Sequence, residues 1–143
     1  PSEAIVFEIT ESILMRDSSL ALQSMKKLKE LGCKLYMDDF GTGYASLTYL
    51  KRFPIDVLKI DRSFVQDIGI DSDDEAIIES TLTLAHSLGK ECVAEGVESK
   101  QQLTFLSALG CKHFQGYLFS KPVPSLDVPA LITRDWQGTF SES

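Results

Sequence analysis

Residues 34–43 read KLYMDDFGTG, and the prediction of the fold begins from this segment. In its first half, side chains alternate between the two faces of a predicted strand. Leu35 and Met37 lie on one face and Asp38 lies on the other. Successive side chains of a strand point to opposite faces, so the apolar side can pack against helices while Asp38 faces away from them. The same pattern, an apolar run that ends in a polar residue, recurs along the chain.

Short apolar runs alternate with longer stretches of helical periodicity. The runs predicted as strands are residues 4–10, 34–39, 57–61, 91–96 and 113–118. The predicted helices are residues 19–31, 75–88 and 101–109, with one more short helix at 126–132. The repeated order of strand, helix and strand predicts an α/β fold with a parallel sheet and crossover helices.

Helix-end signals agree with this division. Ser72 with Glu75, and Ser99 with Gln102, have the spacing of a capping box at a helix start. Three predicted helices end in Leu-Gly, where glycine can adopt the left-handed conformation that closes a helix. These pairs are residues 31–32, 88–89 and 109–110.

The polar residues of the predicted strands gather at one end, which leads into the next helix. Closing the sheet would bring five of them into one ring: Glu8, Asp38, Lys59, Glu95 and Gln115. The loops above this ring hold Asp39, Glu11 and Glu98. Barrel and open α/β enzymes place their chemistry at this end of the sheet, so these residues are the functional candidates.

Composition narrows the class of function. The 143 residues include 21 acidic and 14 basic side chains, and the formal net charge of −7 disfavours direct binding to DNA or RNA phosphates. Hydrophobic residues make up 43% of the chain, which is enough to build a core. No apolar run approaches the ~20 residues that cross a bilayer. Three scattered cysteines, Cys33, Cys92 and Cys111, predict a reducing, cytoplasmic location.

Several carboxylates that converge on one pocket repel each other unless cations neutralise them. The single lysine of the ring cannot balance four or more acids, whereas Mg²⁺ or Mn²⁺ suits an all-oxygen site. Two such ions bridged by a carboxylate form a recurring device for phosphodiester hydrolysis. The residue types therefore suggest a two-metal hydrolase.

Each candidate also has a structural interpretation. The Asp38-Asp39 pair could be a solvated turn, and Lys59 could serve in a structural ion pair. Glu11 and Glu98 could be acids that the dipole favours at helix N-termini. Residues 41–43, Gly-Thr-Gly, lack the lysine and the spacing of a P-loop, so they are interpreted as part of a flexible catalytic loop.

Six strings occur in order at compatible spacing, although each is weak on its own. They are FEITES at 7–12, DDFGTGY at 38–44, LKID at 58–61, VAEGVE at 93–98, QGY at 115–117 and SKP at 120–122. Together they resemble the EAL-domain family of cyclic di-GMP phosphodiesterases, over roughly residues 2–124. The resemblance implies a modified TIM barrel that uses a two-metal site, with Mg²⁺ or Mn²⁺, to cleave cyclic di-GMP to linear pGpG.

The resemblance also implies a role for each matching residue. The metal ligands would be Glu8, Asp38, Asp39 and Glu95. The catalytic set would be Lys59, Glu95, Glu11, Glu98 and Gln115, with Lys59 contacting the attacking water or the scissile phosphate and Glu11 anchoring the loop. Substrate contacts would come from Asp61, Gln115 and Gly116. The catalytic loop would contain Phe40, Gly41, Thr42 and Gly43.

The length does not match a whole barrel of this kind. A complete (β/α)₈ barrel takes about 250 residues, whereas this chain has 143 and five convincing strands. The expected organisation is therefore a partial TIM-like barrel, with residues 1–134 as the C-terminal portion of one EAL-type domain, residues 135–143 as a tail, and the N-terminal strands lacking. The chain alone is expected to hydrolyse cyclic di-GMP poorly or not at all, because two of the family's metal ligands lie in those strands.

Further expectations concern partners and alternatives. Open sheet edges predict a homo-oligomer or dimer, and the parent is compatible with upstream sensory or GGDEF-type domains and with membrane tethering through them.

The competing function is a catalytically degenerate cyclic di-GMP receptor or a protein-interaction module. An unrelated barrel, such as an enolising metal enzyme, would have acids at its strand ends but does not account for the DDFGTGY and AEGVE strings.

Overall fold

The computed structural model describes residues 2–10, 18–41 and 47–136. Five parallel strands form one sheet in sequence order: β1 Val6–Thr10, β2 Lys34–Phe40, β3 Val57–Ile60, β4 Glu91–Glu95 and β5 His113–Gln115. The helices are α1 Ser18–Glu30, α2 Leu47–Arg52, α3 Arg62–Gln66, α4 Ser72–Ser87, α5 Lys100–Ala108 and α6 Val128–Ile132. The predicted α/β fold, with its parallel strands and crossover helices, is confirmed.

The strand register aligns the carboxyl ends at one edge of the sheet. Thr10 lies opposite Asp38 across β1 and β2, and Glu95 lies opposite Gln115 across β4 and β5. The register between β2 and β3 shifts between Met37 and Phe40, which marks a bulge at the end of β2. The polar strand ends are therefore neighbours in space, as the sequence predicts.

The core lies on the helix side of the sheet and is centred on β2 and β3. Leu35, Met37, Leu58 and Ile60 are almost completely buried, and α4 packs against β3 and β4 over them. Full burial of each such side chain contributes about 1.5–3 kcal/mol to the free energy of unfolding. The predicted apolar sides of these two strands thus hold the sheet against the helices.

β1 departs from this pattern because it is an outer strand. Ile9 packs against the core, but Phe7 is 40% exposed and Val6 is also 40% exposed. The apolar side that the alternating pattern predicts for this strand is therefore packed at Ile9 but exposed at Ile5 and Phe7. β5 is the other outer strand, so both edges of the described sheet have backbone groups without a neighbouring strand.

The helix-end predictions are partly confirmed. Gly32, Gly89 and Gly110 have positive φ values, and Ser99 forms the predicted capping box with Gln102. The other capping box is wrong, because α4 is capped by Asp71, which accepts from the backbone N–H of Asp73. Glu75 instead accepts from the backbone N–H of Gly69 at 2.8 Å.

Some element boundaries also differ from the predictions. Residues 2–4 form a 3₁₀ turn before β1, and β5 ends at Gln115 rather than at 118. A second 3₁₀ turn, Ser125–Asp127, precedes α6. Within the described ranges, none of the helices combines the length and the apolar content needed to cross a bilayer.

Candidate functional site

Lys59 stands at the centre of the polar strand ends. Only 5% of its side chain is exposed. Its Nζ lies 2.6 Å from Oε1 of Glu95, 2.8 Å from Oε2 of Glu8 and 3.6 Å from Oδ1 of Asp38. These four residues come from β3, β4, β1 and β2, so four strands contribute to one cluster. The sequence prediction that these side chains meet is confirmed.

Nearby charges and burial have opposite effects on the pKa of Lys59. Burial alone would lower the pKa of Lys59, but hydrogen bonds with Glu8 and Glu95 and the nearby charges of Glu95 and Asp38 raise it above its usual value. Burial raises the pKa of Glu95, and Lys59 opposes this change while Asp38 and Glu8 add to it. Lys59 therefore remains an ammonium at neutral pH.

The donor set suits a hard divalent cation, although the lysine occupies its centre. One ammonium facing three carboxylates leaves the cluster with a net negative charge, and carboxylate oxygens are the ligands that Mg²⁺ and Mn²⁺ prefer. Across the ranges that the structure describes, no three His, Cys, Asp or Glu side chains are already placed to bind one metal ion. The described residues thus fit a metal as part of a ligand set rather than as a complete one.

Asp39 is linked to the residue that follows β3, because its side chain is hydrogen-bonded to Asp61. It has a positive φ of 57°, and its backbone N–H donates to Oδ1 of Asp38 at 3.0 Å. Burial, followed by the charges of Asp38 and Asp61, raises the pKa of Asp39, whose side chain is hydrogen-bonded to Asp61. Non-glycine residues held in the left-handed region cost on the order of 1–3 kcal/mol and cluster at functional sites.

Asp61 has a structural contact of its own. It is the N-cap of α3 and accepts from the backbone N–H of Ser63 at 2.8 Å. Burial raises the pKa of Asp61, but hydrogen bonds from Ser63 outweigh that effect, and its pKa is lowered overall. The residue predicted for substrate contact therefore also starts a helix and holds Asp39.

A cleft of about 510 Å³ opens beside Glu95, and three more of the predicted residues line it. They are Glu98, Gln115 and Gly116. Gly116 is required by packing, because a Cβ there would lie within 2.7 Å of the Val97 carbonyl carbon. The cleft and the Lys59 cluster share Glu95, so they form one continuous site.

The described residues include only part of the predicted loop. Phe40 is buried at the end of β2, and Gly41 has a φ of 94° with Phe64 packed against it. Glu11, Thr42 and Gly43 lie outside the described residues.

Arg62 and Lys121 also line the cleft, and neither is among the functional residues predicted from the sequence. Arg62 follows Asp61 directly and pairs with Glu98, with 3.3 Å between Nη2 and Oε1. Nζ of Lys121 lies 5.7 Å from the Tyr117 ring centre. Arg62 could have been found by extending the strand-end rule two residues past β3, whereas the only hint for Lys121 was its position in the SKP string.

Comparison with known proteins gives consistent matches along the chain. The model of the EAL domain family matches residues 1–122. The bifunctional diguanylate cyclase/cyclic di-GMP phosphodiesterase MucR of Pseudomonas aeruginosa is 46% identical over 128 residues, which is 90% of this chain and 19% of MucR.

Two solved structures show the same fold. The PaMucR phosphodiesterase in complex with c-di-GMP superposes with a TM-score of 0.85 at 43% identity, over 89% of this chain and 51% of that one. The manganese/cy-diGMP complex of Klebsiella pneumoniae BlrP1 gives a TM-score of 0.78 at 37% identity, over 85% of this chain and 31% of that one. The expected partial TIM-like fold is confirmed, and the chain spans about half of the solved PaMucR chain. The chain belongs to the EAL domain family.

Proposed function

We propose that the protein carrying this chain hydrolyses cyclic di-GMP to linear pGpG with the help of Mg²⁺ or Mn²⁺. The observation that carries the proposal is the convergence of Glu8, Asp38 and Glu95, from three strands, on the Nζ atom of Lys59. Two findings about similar proteins support it. MucR is named as a cyclic di-GMP phosphodiesterase, and BlrP1 is described with manganese and cy-diGMP.

The proposed metal ligands are Glu8, Asp38, Asp39 and Glu95. Carboxylate oxygens of Glu8, Asp38 and Glu95 already meet beside Lys59, so these side chains would hold the metal there. Divalent ions, when bound, would activate the attacking water and neutralise charge on the scissile phosphate. Completion of the ligand set requires residues beyond those described.

Lys59 is proposed to hold the attacking water or a phosphate oxygen through its Nζ–H groups. The three carboxylates keep this amine charged and fix its position, because each accepts a hydrogen bond or lies close to the charge. A preorganised ammonium lowers the barrier because it is already aimed at the charge that develops in the transition state.

The remaining roles belong to the cleft and the loop. Glu98, Gln115 and Gly116 line the space beside Glu95 in which we place the nucleotide. Asp61 supports it through Asp39, and Glu11 is proposed to anchor the loop that contains Phe40, Gly41, Thr42 and Gly43.

Hydrolysis of cyclic di-GMP by the intact protein, followed by chromatography of pGpG, tests this proposal. We expect turnover with Mg²⁺ or Mn²⁺, none with a chelator, and a loss of at least about a hundredfold in Lys59→Met. Lys26→Met is the matched control, because Lys26 is exposed on α1. Wild-type turnover by Lys59→Met would contradict the assignment. The 143-residue chain alone is proposed to be weak or inactive.

A second candidate is a receptor that binds cyclic di-GMP without cleaving it. It is favoured by one observation, namely that the described residues hold no ready-made group of three metal ligands. Calorimetry with cyclic di-GMP, with and without Mg²⁺, separates the two functions. Heat of binding without formation of pGpG would select the receptor.

A further inference from the structure

We propose that Arg62 is a positioning residue, which fixes the loop after β4 and thereby sets the place of Glu95 beside Lys59. This loop is defined as residues 95–98, which are the last residue of β4 and the three residues after it. The kinetic consequence of the inference rests on the proposed hydrolysis, whereas its structural consequence does not.

The aliphatic part of Arg62 lies directly on the backbone of Gly96. Gly96 has a φ of 70°, and a Cβ added there would lie 2.9 Å from Cβ and 3.1 Å from Cδ of Arg62, with Cγ nearer still. Real Cβ atoms do not approach other carbons so closely, so the stem occupies the space that a side chain at position 96 would take. Gly96 is thus required both by its backbone conformation and by Arg62.

The guanidinium of Arg62 is held from two sides. Its Nη2 lies 3.3 Å from Oε1 of Glu98. With the Gln66 amide turned so that its oxygen faces Arg62, this oxygen accepts from Nε at 2.6 Å and from Nη2 at 2.7 Å. An exposed pair such as Arg62–Glu98 contributes little to the free energy of unfolding. Its role is to fix the position of the Glu98 side chain.

Other contacts hold the same loop from the opposite side. The Val97 N–H donates to the Gln115 carbonyl at 3.1 Å, and the Val97 carbonyl accepts from Leu118 at 3.0 Å. The N–H of Glu98 donates to the side chain of Gln102 at 2.8 Å. These bonds tie the loop to β5 and α5, but not to β3.

Backbone pairing joins β4 to β3 as far as Ala94 opposite Ile60, and Arg62 adds a side-chain connection beyond that point. It lies three residues after Lys59 in the sequence, at the first position of α3. The 2.6 Å contact between Lys59 and Glu95 requires the end of β3 and the loop after β4 to keep a fixed spacing. Arg62 spans these two segments, because its aliphatic part lies on Gly96 and its guanidinium pairs with Glu98.

Steady-state kinetics of the intact protein give the first test. Arg62→Ala should lower kcat for cyclic di-GMP about tenfold, as is typical when a group supporting a site residue is lost, and should leave KM within about twofold. Arg62→Lys keeps the stem and a charge, so it should recover part of the loss. Arg52→Ala, at an exposed arginine that ends α2, is the control and should behave as wild type. A raised KM with unchanged kcat would indicate direct substrate contact and overturn the inference.

Amide hydrogen exchange gives a second test that does not depend on activity. In Arg62→Ala the Val97 and Glu98 amides should exchange at least about tenfold faster than in Arg52→Ala, while the Leu35 amide, bonded to Asp56, should not change. Should Arg62→Ala not fold, Arg62→Met, which keeps the stem without the charge, is measured in the same way. Unchanged exchange at residues 97 and 98 would overturn the inference even in an active enzyme. Absence of hydrolysis by the wild type would overturn the proposed function alone.

Discussion

Lys59 has only 5% of its side chain exposed, and an ammonium at that depth needs compensating charge. Lys59→Met removes the cation and leaves Glu8, Asp38 and Glu95 facing one another. We expect the free energy of unfolding to fall by roughly 2 kcal/mol, less than for a fully buried pair because Glu8 is 48% exposed. Mn²⁺ should restore part of this loss by replacing the missing positive charge. Urea unfolding with and without Mn²⁺, with Lys26→Met as control, measures both effects, and a Lys59→Met variant as stable as wild type would argue against the cluster.

Cys92 offers a pH-dependent test of the core. Burial, with a smaller contribution from Cys111, raises the pKa of Cys92 to about 12. The unfolded thiol ionises near its ordinary value of about 8.5, so between these two values the unfolded state loses its proton first. The free energy of unfolding should therefore fall as pH rises through this window, by up to about 1.4 kcal/mol per pH unit from this thiol. Cys92→Ala should show a shallower fall in urea unfolding, and an equal slope in both proteins would contradict the predicted burial effect.

At the residue level, the strand-end rule was enough to predict the central cluster. Glu8, Asp38, Lys59 and Glu95 all follow from alternation within a strand, because the period of two fixes which side chains share a face. The direction of Asp39 could not be predicted in this way, since its positive φ turns it out of the strand pattern toward Asp61. The alternation does not extend to a side chain two residues beyond a strand, and for this reason it does not predict Arg62.

At the level of elements, the turn after β5 depends on one close backbone approach. Gly116 lies against the backbone of Val97, so Gly116→Ala must push the loop of residues 95–98 away from β5. We expect a loss of about 1–3 kcal/mol in the free energy of unfolding, together with reduced hydrolysis. Urea unfolding and the pGpG assay measure the two effects.

Gly110→Ala is the matched control for this substitution. Gly110 has a φ of 86° but no atom within 4 Å of an added Cβ, so alanine there is strained without a collision. It should lose stability while keeping the activity of the folded protein. Equal activity losses in Gly110→Ala and Gly116→Ala would show that the close approach has no specific role.

The elements with a clear apolar pattern were predictable, whereas α2 and α3 were not. The five strands and the helices α1, α4 and α5 repeat their apolar positions often enough to reveal a period. α2 and α3 contain only six and five residues, which is too short for such a pattern. At the start of α4, two residues compete for the cap, and Asp71 prevails over Ser72 because its carboxylate reaches the Asp73 N–H.

At the level of the whole molecule, the outer strands are the part of the described sheet that is most open to pairing with another chain. Ile5, just before β1, and Val6 and Phe7 within it are exposed next to an edge without a neighbouring strand, and such edges pair readily with another chain. We expect the 143-residue chain to associate with a second copy of itself through this edge. Sedimentation velocity should show a concentration-dependent dimer that Val6→Lys weakens, and a monomer at every concentration used would contradict this expectation.

Acids from separate strands are expected to hold divalent ions at one edge of the sheet, and Mn²⁺ binding to the intact protein with cyclic di-GMP gives the clearest test of this claim. The comparison uses wild type, Asp38→Asn and Glu79→Gln, in which the altered glutamate is exposed on α4. Wild type and Glu79→Gln should bind Mn²⁺ and form pGpG, whereas Asp38→Asn should lose both together. Wild-type Mn²⁺ affinity and turnover in Asp38→Asn would contradict the claim.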